Sequence, residues 1–454
     1  MAPVGSIADQ AQSRNGIKKR ILFVTFDFPP RRTSAVYRHV GLNRYLGRYG
    51  WLPTILTAQA PHTEAWDPTL LERFPSEIAV VRTAVIPLAG WEAPAGTAIR
   101  RLGALKSAAG DVKQGWLDRS LRSLAEVFQS IAYFPDKTAG WIPIASVKAL
   151  QLVMEKRFHL VYTSSPPRSA PVVGLLVKLL TGTPWIAEFR DPWYPPQHPI
   201  RRRLERWLMA RILHKADAVV LISEGLADEM HRGFGVSRSK LHIVSNGFDE
   251  MDFASGTEAR DSAFAPGFVH LSHFGTVYPR FSGEFFRALS ALLQEMPSLR
   301  HRLRVNIVGF PDEEVLELKN ADPILRDVIQ VYGFMQHRKA IQAMASSDCL
   351  LLFLANAEVS RLSGLGKIYW YLRAGRPILA VTPNGGTKTI LEESGAGWAV
   401  EPNDTQAIKE IVRRLASKAE NDQMPKPVSA DFLAQFRYDK LAGRLGEILD
   451  RVSS

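Results

Sequence analysis

Short apolar runs that alternate with helical patterns are the feature that most restricts how this chain can fold. The run ILFVTF (21–26) ends at Asp27 and the turn sequence FPP. A continuous run of this kind, bounded by turn residues, is typical of a parallel strand buried on both faces. Comparable runs separated by helical stretches recur in two series along the chain. We therefore predict an α/β protein with two doubly wound parallel sheets.

The second series restarts after a polar stretch, DFASGTEARDS (252–262). We expect two Rossmann-like domains, 18–255 and 256–435, after a disordered leader (1–17), and a C-terminal helix (436–454) that packs back on the first domain. The 454 residues are 46% hydrophobic, which is enough apolar material for two full cores. In such folds ligands bind at the carboxyl ends of the strands, where helix N-termini attract phosphate groups.

Several classes of protein are excluded by motifs that the sequence lacks. It contains no GxxxxGK[ST], GxGxxG, HExxH or GxSxG motif and no Cys/His cluster, so we expect no P-loop, no dinucleotide cofactor and no metal ion. No apolar run reaches the roughly 18 residues that a membrane span requires, and the first residues lack the apolar core of a signal peptide. We therefore expect a cytoplasmic protein. Its single cysteine, Cys349, lies in an apolar run and is interpreted as a buried hydrophobe.

The charge is divided unevenly along the chain. Residues 1–250 hold 33 Lys and Arg against 21 Asp and Glu, whereas residues 251–454 hold 24 of each. Because zinc-finger spacing, an RNA-binding aromatic signature and a dense basic tail are absent, we expect no nucleic-acid partner. Basic residues are interleaved with leucines and a tryptophan over 100–128 and again over 201–211. This pattern fits a helix on an anionic membrane surface or an ordinary solvated face, and we favour peripheral attachment to the inner face of the membrane.

Two loops of the second series are candidates for holding a diphosphate. Gly275 and Thr276 follow a predicted strand and let backbone N–H groups approach an anion, with Arg280 near enough to neutralise it. The other loop precedes Lys367 and contains Ser363, Gly364 and Gly366. It lies at the start of a predicted helix, the arrangement that holds phosphate at a helix N-terminus. The structural alternatives are a plain turn with a solvated Arg280 and a simple helix-entry loop.

In the first series, Asp191 follows the predicted strand WIAEF and is expected at its carboxyl end. A carboxylate there can orient an acceptor hydroxyl or act as a base, with the neighbouring Arg190 lowering its pKa. Asp27, at the end of the first strand, is the second candidate. Both have structural alternatives: an Arg–Asp pair that braces the proline-rich loop, and a cap on the turn after the first strand. Trp185 and Trp193 fit either stacking on an acceptor or core packing.

Six segments in this order resemble the family 4 glycosyltransferases, retaining sugar-nucleotide enzymes of the GT-B fold. They are ILFVTFDFPPRRTSAVYRHVGLNRYLGRYGWLPTILT, YTSSPPRSAPVVGLLVKLLTGTPWIAEFRDPW, LHIVSNGFD, HFGTVYPRFSGEFFRAL, VYGFMQHRKAIQAMASSDCLLL and GLGKIYWYLRAGRPILAV. The resemblance spans about residues 20–450. It implies a hexosyltransferase that needs neither a metal nor a cofactor beyond its nucleotide-diphosphate sugar, with its two domains facing each other across a cleft.

The resemblance also implies which residues contact each substrate. The C-terminal domain holds the donor through the two loops above, with the main chain at Gly333 and Phe334 against the nucleotide base. The N-terminal domain holds the acceptor near Asp27, Arg38 and the Arg190–Trp193 loop. Many members of this family glycosylate lipid-linked acceptors, so the resemblance implies a glycan or lipid-linked acceptor and a role in cell-surface polysaccharide assembly.

Three positions depart from that family's pattern. Its paired acidic residues, spaced Glu-x7-Glu, fall here on Leu362 and Trp370, and the histidine three residues before the glycine of its SPP block falls on Pro171. One of those acids normally holds the donor ribose. A second interpretation is therefore a catalytically degenerate member that binds a glycan, a lipid or a partner enzyme. A sugar-nucleotide epimerase of related fold is a third.

Overall fold

A computed structural model describes residues 18–31, 33–59, 66–88, 133–192, 198–254, 263–354, 362, 366–417 and 424–454. The chain divides into two units. The first comprises the residues up to Leu221, Met230–His242 and Ala442–Ser454, and the second comprises Ile222–Glu229 and Ile243–Leu441. The chain thus passes into the second unit at Ile243, ahead of the predicted boundary at 255/256. The predicted leader lies outside the described residues.

The first unit is built on a seven-stranded sheet in the order β3-β2-β1-β4-β5-β6-β7. Its strands are β1 (Lys19–Val24), β2 (Trp51–Ala58), β3 (Ala79–Thr83), β4 (Leu160–Ser165), β5 (Trp185–Phe189), β6 (Ala218–Leu221) and β7 (Leu241–Ile243). Its helices are α1 (Ser34–Leu46), α2 (Ile142–Lys156), α3 (Ser169–Thr181) and α4 (Pro199–Lys215), followed by α5 (Glu224–Phe234), which contributes residues to both units. The central strand β1 pairs in parallel with β2 and β4.

The apolar runs of the first unit form buried strands, as the sequence predicts. Every residue of β4 and β5 is buried, which is the pattern of parallel strands covered on both faces. Trp185 is completely buried and its indole Nε1–H donates to Thr163 Oγ1 at 3.0 Å, so it belongs to the core and does not stack on an acceptor. The strand β3 was not predicted, because its sequence AVVRT is short and lies within a stretch without a βαβ rhythm.

The second unit has a six-stranded sheet in the order β10-β9-β8-β11-β12-β13. Its strands are β8 (Val269–Phe274), β9 (Leu303–Val308), β10 (Ile329–Gly333), β11 (Cys349–Phe353), β12 (Ile378–Val381) and β13 (Gly397–Val400). Its helices are α6 (Glu250–Ala254), α7 (Pro279–Glu295), α8 (Glu313–Ala321), α9 (Pro323–Val328), α10 (His337–Ser346), α11 (Lys367–Ala374), α12 (Gly386–Ser394), α13 (Thr405–Ser417) and α14 (Ala430–Ala434). The last helix, α15 (Tyr438–Ser453), has its residues from Ala442 onward in the first unit.

Hydrophobic side chains cover both faces of the second sheet in two clusters. Cys349 is completely buried at the start of β11, and burial raises the pKa of its thiol to about 12, so it is the inert hydrophobe that the sequence predicts. Within the described ranges, no helix is both long enough and apolar enough to cross a bilayer. Both sheets are parallel and Rossmann-like, which confirms the predicted fold class.

Candidate functional site

The second unit brings three glycines together at the carboxyl ends of adjacent strands. Gly275 follows β8 with a φ of +113°, Gly309 follows β9 with a φ of +142°, and Gly333 ends β10 with a φ of +63°. A Cβ on Gly309 would lie 2.3 Å from the carbonyl oxygen of Gly275, and Gly309 also bridges to Gly333. Only glycine fits such a close approach at positive φ. The backbone is therefore exposed where a phosphate-bearing ligand binds in open parallel sheets.

Lys367, the first residue of α11, reaches back to this glycine edge. Its ammonium Nζ donates to the carbonyl oxygen of Phe274 at 2.9 Å and lies 3.2 Å from His273 Nε2. An ideal Cβ on Gly275 would lie 3.0 Å from the same Nζ, so a side chain there would crowd the cation. The structure thus joins two sequence-predicted donor residues, Gly275 and Lys367, in direct proximity.

His273 holds Lys367 in place and keeps the site's charge on the lysine. His273 Nδ1–H donates to the carbonyl oxygen of Leu351 at 3.0 Å, so in the neutral ring Nε2 is the acceptor that faces the ammonium. Burial and then the neighbouring Lys367 lower the pKa of His273 well below its usual value. Burial also lowers the pKa of Lys367 to about 8. The result is that the charge of this His–Lys pair lies on Lys367, beside an open backbone loop.

The other predicted donor residues lie around this loop. Thr276 and Arg280 are exposed, and the Arg280 guanidinium lies 5.8 Å from the ring centroid of Tyr278 at the start of α7. The Phe334 side chain is 42% exposed, just after Gly333. Gly366 precedes α11 at its N-cap position. Ser363 and Gly364 lie outside the described residues.

The two positions that depart from the family's acidic pair take part in packing. Leu362 is buried, and its carbonyl oxygen accepts a hydrogen bond from Ser223 Oγ. The Trp370 ring packs against Phe253 at 6.0 Å and against His337 at 4.9 Å between centroids. These positions therefore supply no carboxylate to a ribose.

The first unit contains an ion-pair network centred on Glu188, near the carboxyl end of β5. Glu188 is completely buried, and its Oε1 accepts from Arg38 Nε at 2.9 Å, from Arg38 Nη2 at 2.7 Å and from Tyr162 Oη at 2.7 Å. Its Oε2 accepts from Ser164 Oγ and lies 3.9 Å from Arg190 Nε. Burial alone would raise the pKa of Glu188, but Arg38 and Arg190 outweigh it and hold the pKa at about 2.

Both arginines that the sequence predicts as acceptor ligands are engaged inside this network. Arg38 is only 2% exposed, and Arg190 is also buried, donating to Ser164 Oγ at 3.1 Å and to the carbonyl oxygen of Pro166 at 2.5 Å. These contacts are those of buried groups that position the strand ends. Direct binding of an acceptor by either guanidinium stays a prediction.

The two candidate catalytic carboxylates lie at the carboxyl ends of β1 and β5. Asp27 is partly buried and pairs with Arg31 at 3.0 Å, which matches its alternative role in the turn after β1. Burial raises the pKa of Asp27, opposed first by Arg31. Desolvation also raises the pKa of Asp191, although that residue keeps solvent contact; Arg190 opposes the shift but does not reverse it, contrary to the expected lowering. Trp193 lies outside the described residues, and catalysis by Asp27 or Asp191 stays a prediction.

Sequence reasoning missed the partners that organise these sites. Glu188 carried the clearest signal, because a lone carboxylate inside an otherwise apolar strand requires a buried cation. His39 is a second partner that sequence reasoning missed. Its Nε2 lies 3.0 Å from Ser164 Oγ, and burial lowers its pKa to about 3. Gly309 gave no local signal, since its role depends on Gly275 in another loop. Within the described ranges, no group of three or more His, Cys, Asp or Glu side chains is arranged to hold a metal ion.

Comparison with known proteins agrees with this architecture. Residues 40–247 match the family described as "Glycosyl transferase 4-like domain", and residues 280–418 match "Glycosyl transferases group 1". Alpha-D-kanosaminyltransferase of Streptomyces kanamyceticus is 24% identical over 292 residues, which cover 60% of this chain and 73% of that protein. D-inositol 3-phosphate glycosyltransferase of Saccharomonospora viridis is 25% identical over 218 residues, which cover 46% and 50%.

Solved structures share the fold over nearly the whole chain. The crystal structure of Anabaena HepE in complex with UDP-glucose superposes with a TM-score of 0.61 at 16% identity and covers 95% of this chain and 99% of that one. With two parallel Rossmann-like sheets, and with two glycosyltransferase domains matched in order along the sequence, this chain belongs to the glycosyltransferases of the GT-B fold.

Proposed function

We propose that this protein transfers a hexose from a nucleotide-diphosphate sugar to a hydroxyl of a glycan or lipid-linked acceptor, with retention of anomeric configuration and without a metal ion. The observation that carries the proposal is the open glycine loop at Gly275 with the ammonium of Lys367 held beside it. A diphosphate leaving group needs cationic and N–H donors, and this loop offers both. The UDP-glucose bound to the HepE structure is consistent with such a donor.

The proposed donor and acceptor sites lie in different units. The second unit holds the donor through Gly275, Thr276, Arg280 and the loop before Lys367, with Gly333 and Phe334 at the base. The first unit holds the acceptor near Asp27 and Asp191, and the Glu188 network keeps the strand ends that carry these carboxylates rigid. We further propose that the protein works at the inner face of the membrane in cell-surface polysaccharide assembly. The excess of positive charge in residues 1–250 supports attachment to anionic lipid.

Calorimetric titration with UDP, GDP, ADP and TDP, in the presence of a chelator, tests the donor site. We expect one of the four to bind without metal. Arg280→Ala is expected to weaken that binding by about 1.5–3 kcal/mol, the scale of a hydrogen bond to a charged group. Arg376→Ala is the matched control, because Arg376 is exposed in the same unit at the opposite, amino end of β12. Equal losses in the two variants would contradict the assigned site.

Turnover separates the enzyme from a second candidate, a degenerate member that binds without catalysis. Trp370 favours that candidate, since an aromatic ring packed on Phe253 and His337 stands where the family carries an acid. The enzyme is expected to release nucleoside diphosphate from the cognate sugar nucleotide and to form an α-linked product from an α-linked donor, measured by the anomeric proton coupling in NMR. Binding without nucleotide release, with each of several acceptor glycans, would establish the degenerate candidate instead.

A further inference from the structure

The outer face of α4 is an apolar strip in the first unit. Ile200, Leu204 and Trp207 are 53%, 40% and 56% exposed, at a spacing of four and three residues that puts them on one side of the helix. The opposite side is buried in the core through Leu208, Met209, Ile212 and Leu213. The outer face of α4 consists of Ile200, Arg203, Leu204, Trp207 and Arg211. Leu208, which the sequence groups with Trp207, is therefore a core residue.

The same face is cationic. Arg203 and Arg211 are exposed at helical spacing from Trp207, and the Arg211 guanidinium lies 5.6 Å from the centroid of the Trp207 ring. The single acid of the helix, Glu205, is buried and paired with Arg168 and Arg201. Among the described residues, the salt bridges found do not include Arg203 or Arg211. The outer face thus combines exposed apolar groups with positive charge that its own helix does not neutralise.

Neighbouring helices also carry exposed apolar side chains. The helix α3 packs against both α2 and α4, so the three form one layer. Leu179 and Leu180, near the C-terminal end of α3, are 57% and 68% exposed. On α2, Val147 and Met154 are exposed one heptad apart. The helical layer to which α4 belongs thus exposes four more large apolar side chains.

We propose that the outer face of α4 is the surface that docks this protein on an anionic lipid bilayer. Leucine and isoleucine insert at the acyl boundary, tryptophan prefers the headgroup level, and arginines pair with lipid phosphates. A second copy of the chain fits this face poorly, because a two-fold contact would gather Arg203 and Arg211 of both copies in one interface, whereas the acid of this helix, Glu205, is buried and already paired. The inference rests on the membrane attachment proposed above and assigns it to one helix.

Vesicle co-sedimentation of the full chain, with no sugar nucleotide present, tests the assignment apart from catalysis. We expect binding to equimolar phosphatidylcholine and phosphatidylglycerol vesicles, little binding to phosphatidylcholine alone, and weaker binding at about 0.5 M salt, where charges are screened beyond a few ångströms. Leu204→Glu/Trp207→Glu is expected to reduce binding at least tenfold. Met296→Glu/Leu316→Glu, two exposed positions of the second unit, is the matched control and is expected to bind like the wild type.

A second variant keeps the test independent of the apolar changes. Arg203→Gln/Arg211→Gln is expected to weaken binding to the anionic vesicles about 25-fold, since each arginine at the surface contributes about a factor of five. Tryptophan fluorescence in vesicles with brominated lipid reports which residue is inserted. We expect quenching to be reduced in Trp207→Phe and retained in Trp116→Phe.

Several results would overturn the assignment, and they differ from a failure of the proposed function. If the wild type binds anionic vesicles but both α4 variants bind equally well, membrane attachment stands and the docking face is wrong. Loss of quenching in Trp116→Phe alone would place the contact in 100–128. If the wild type binds no vesicles but self-associates, and Leu204→Glu/Trp207→Glu is monomeric, the face joins two copies of the chain. None of these outcomes bears on nucleotide release, which is measured separately.

Discussion

Replacing Arg38 by methionine isolates the ion pair in the core of the first unit. The change keeps the aliphatic part of the side chain and removes the guanidinium that donates twice to Glu188 Oε1, at 2.9 and 2.7 Å. Glu188 would keep its bonds from Tyr162 and Ser164, but its nearest cation would be Arg190, at 3.9 Å. The carboxylate is completely buried, so water cannot replace the lost partner.

The size of the effect follows from that burial. In the wild type, the pKa of Glu188 is about 2 against a reference of 4.5, which corresponds to about 3 kcal/mol of preference for the ionised form in the folded state. That contribution is complete above pH 4.5 and is lost as pH falls through about 2. Without Arg38, burial dominates and the folded-state pKa rises above its unfolded value. We expect Arg38→Met to cost about 3–5 kcal/mol at pH 7, and less as pH falls and the carboxyl becomes protonated.

Urea-dependent hydrogen exchange of the amides in β4 and β5 measures the unfolding of this unit by itself. Arg287→Met is the control, because its exposed pair with Glu284 is expected to contribute less than about 1 kcal/mol. Arg38→Met/Glu188→Gln is expected to regain part of the loss, since no buried charge is left unpaired. A cost below about 1 kcal/mol for Arg38→Met, or a double variant as unstable as the sum of the single ones, would refute the reasoning.

Three further perturbations test other contacts. Gly309→Ala is expected to weaken nucleoside diphosphate binding about tenfold or more, because its Cβ would lie 2.3 Å from the Gly275 oxygen, and unchanged calorimetric affinity would count against the loop. Since burial lowers the pKa of Lys367 to about 8, the charge is lost as pH rises through that value, and affinity is expected to fall about fivefold from pH 8 to 9. Arg280→Gln, the control, should weaken binding without altering that slope, and a flat wild-type profile would exclude Lys367 as the titrating cation. Burial holds the folded-state pKa of His39 at about 3 against 6.5, so the unfolded state binds the extra proton and stability falls as pH drops below 6.5. His39→Gln is expected to remove about 2–3 kcal/mol of that loss by about pH 4.5 in urea titrations, and an unaltered slope would contradict it.

Local pattern predicted the elements of the fold because each apolar run carries its own signal. The run ILFV in β1 and the run CLLLF in β11 are continuous and buried, which marks parallel strands without any knowledge of their neighbours. The strand β3 escaped prediction because five residues, AVVRT, with no helix pattern beside them do not differ from an extended loop.

The contacts within the sites join residues that lie far apart in the sequence. Arg38 and Glu188 are 150 residues apart, and Lys367 and Phe274 are 93 apart, so no local pattern pairs them. The resemblance implied that Arg38 lies near the acceptor, which stays a prediction, and no local pattern indicated the buried carboxylate that engages its guanidinium. For Lys367 the predicted neighbourhood of Gly275 is present, because both residues lie at the carboxyl edge of the same sheet and topology alone brings them together.

The last turns of α15 determine when the first unit can finish folding during translation. Within the first unit, Lys19 Nζ at the start of β1 pairs with Asp450 at 2.9 Å, and a Cβ at Gly443 would lie 2.9 Å from the ring of Tyr49. These contacts join segments that emerge from the ribosome about 400 residues apart. The first sheet must therefore wait, with this flank uncovered, until translation has passed through the whole second unit. A nascent chain arrested before Ala442 is expected to be far more sensitive to protease at α1 than the released protein, although it already contains every strand.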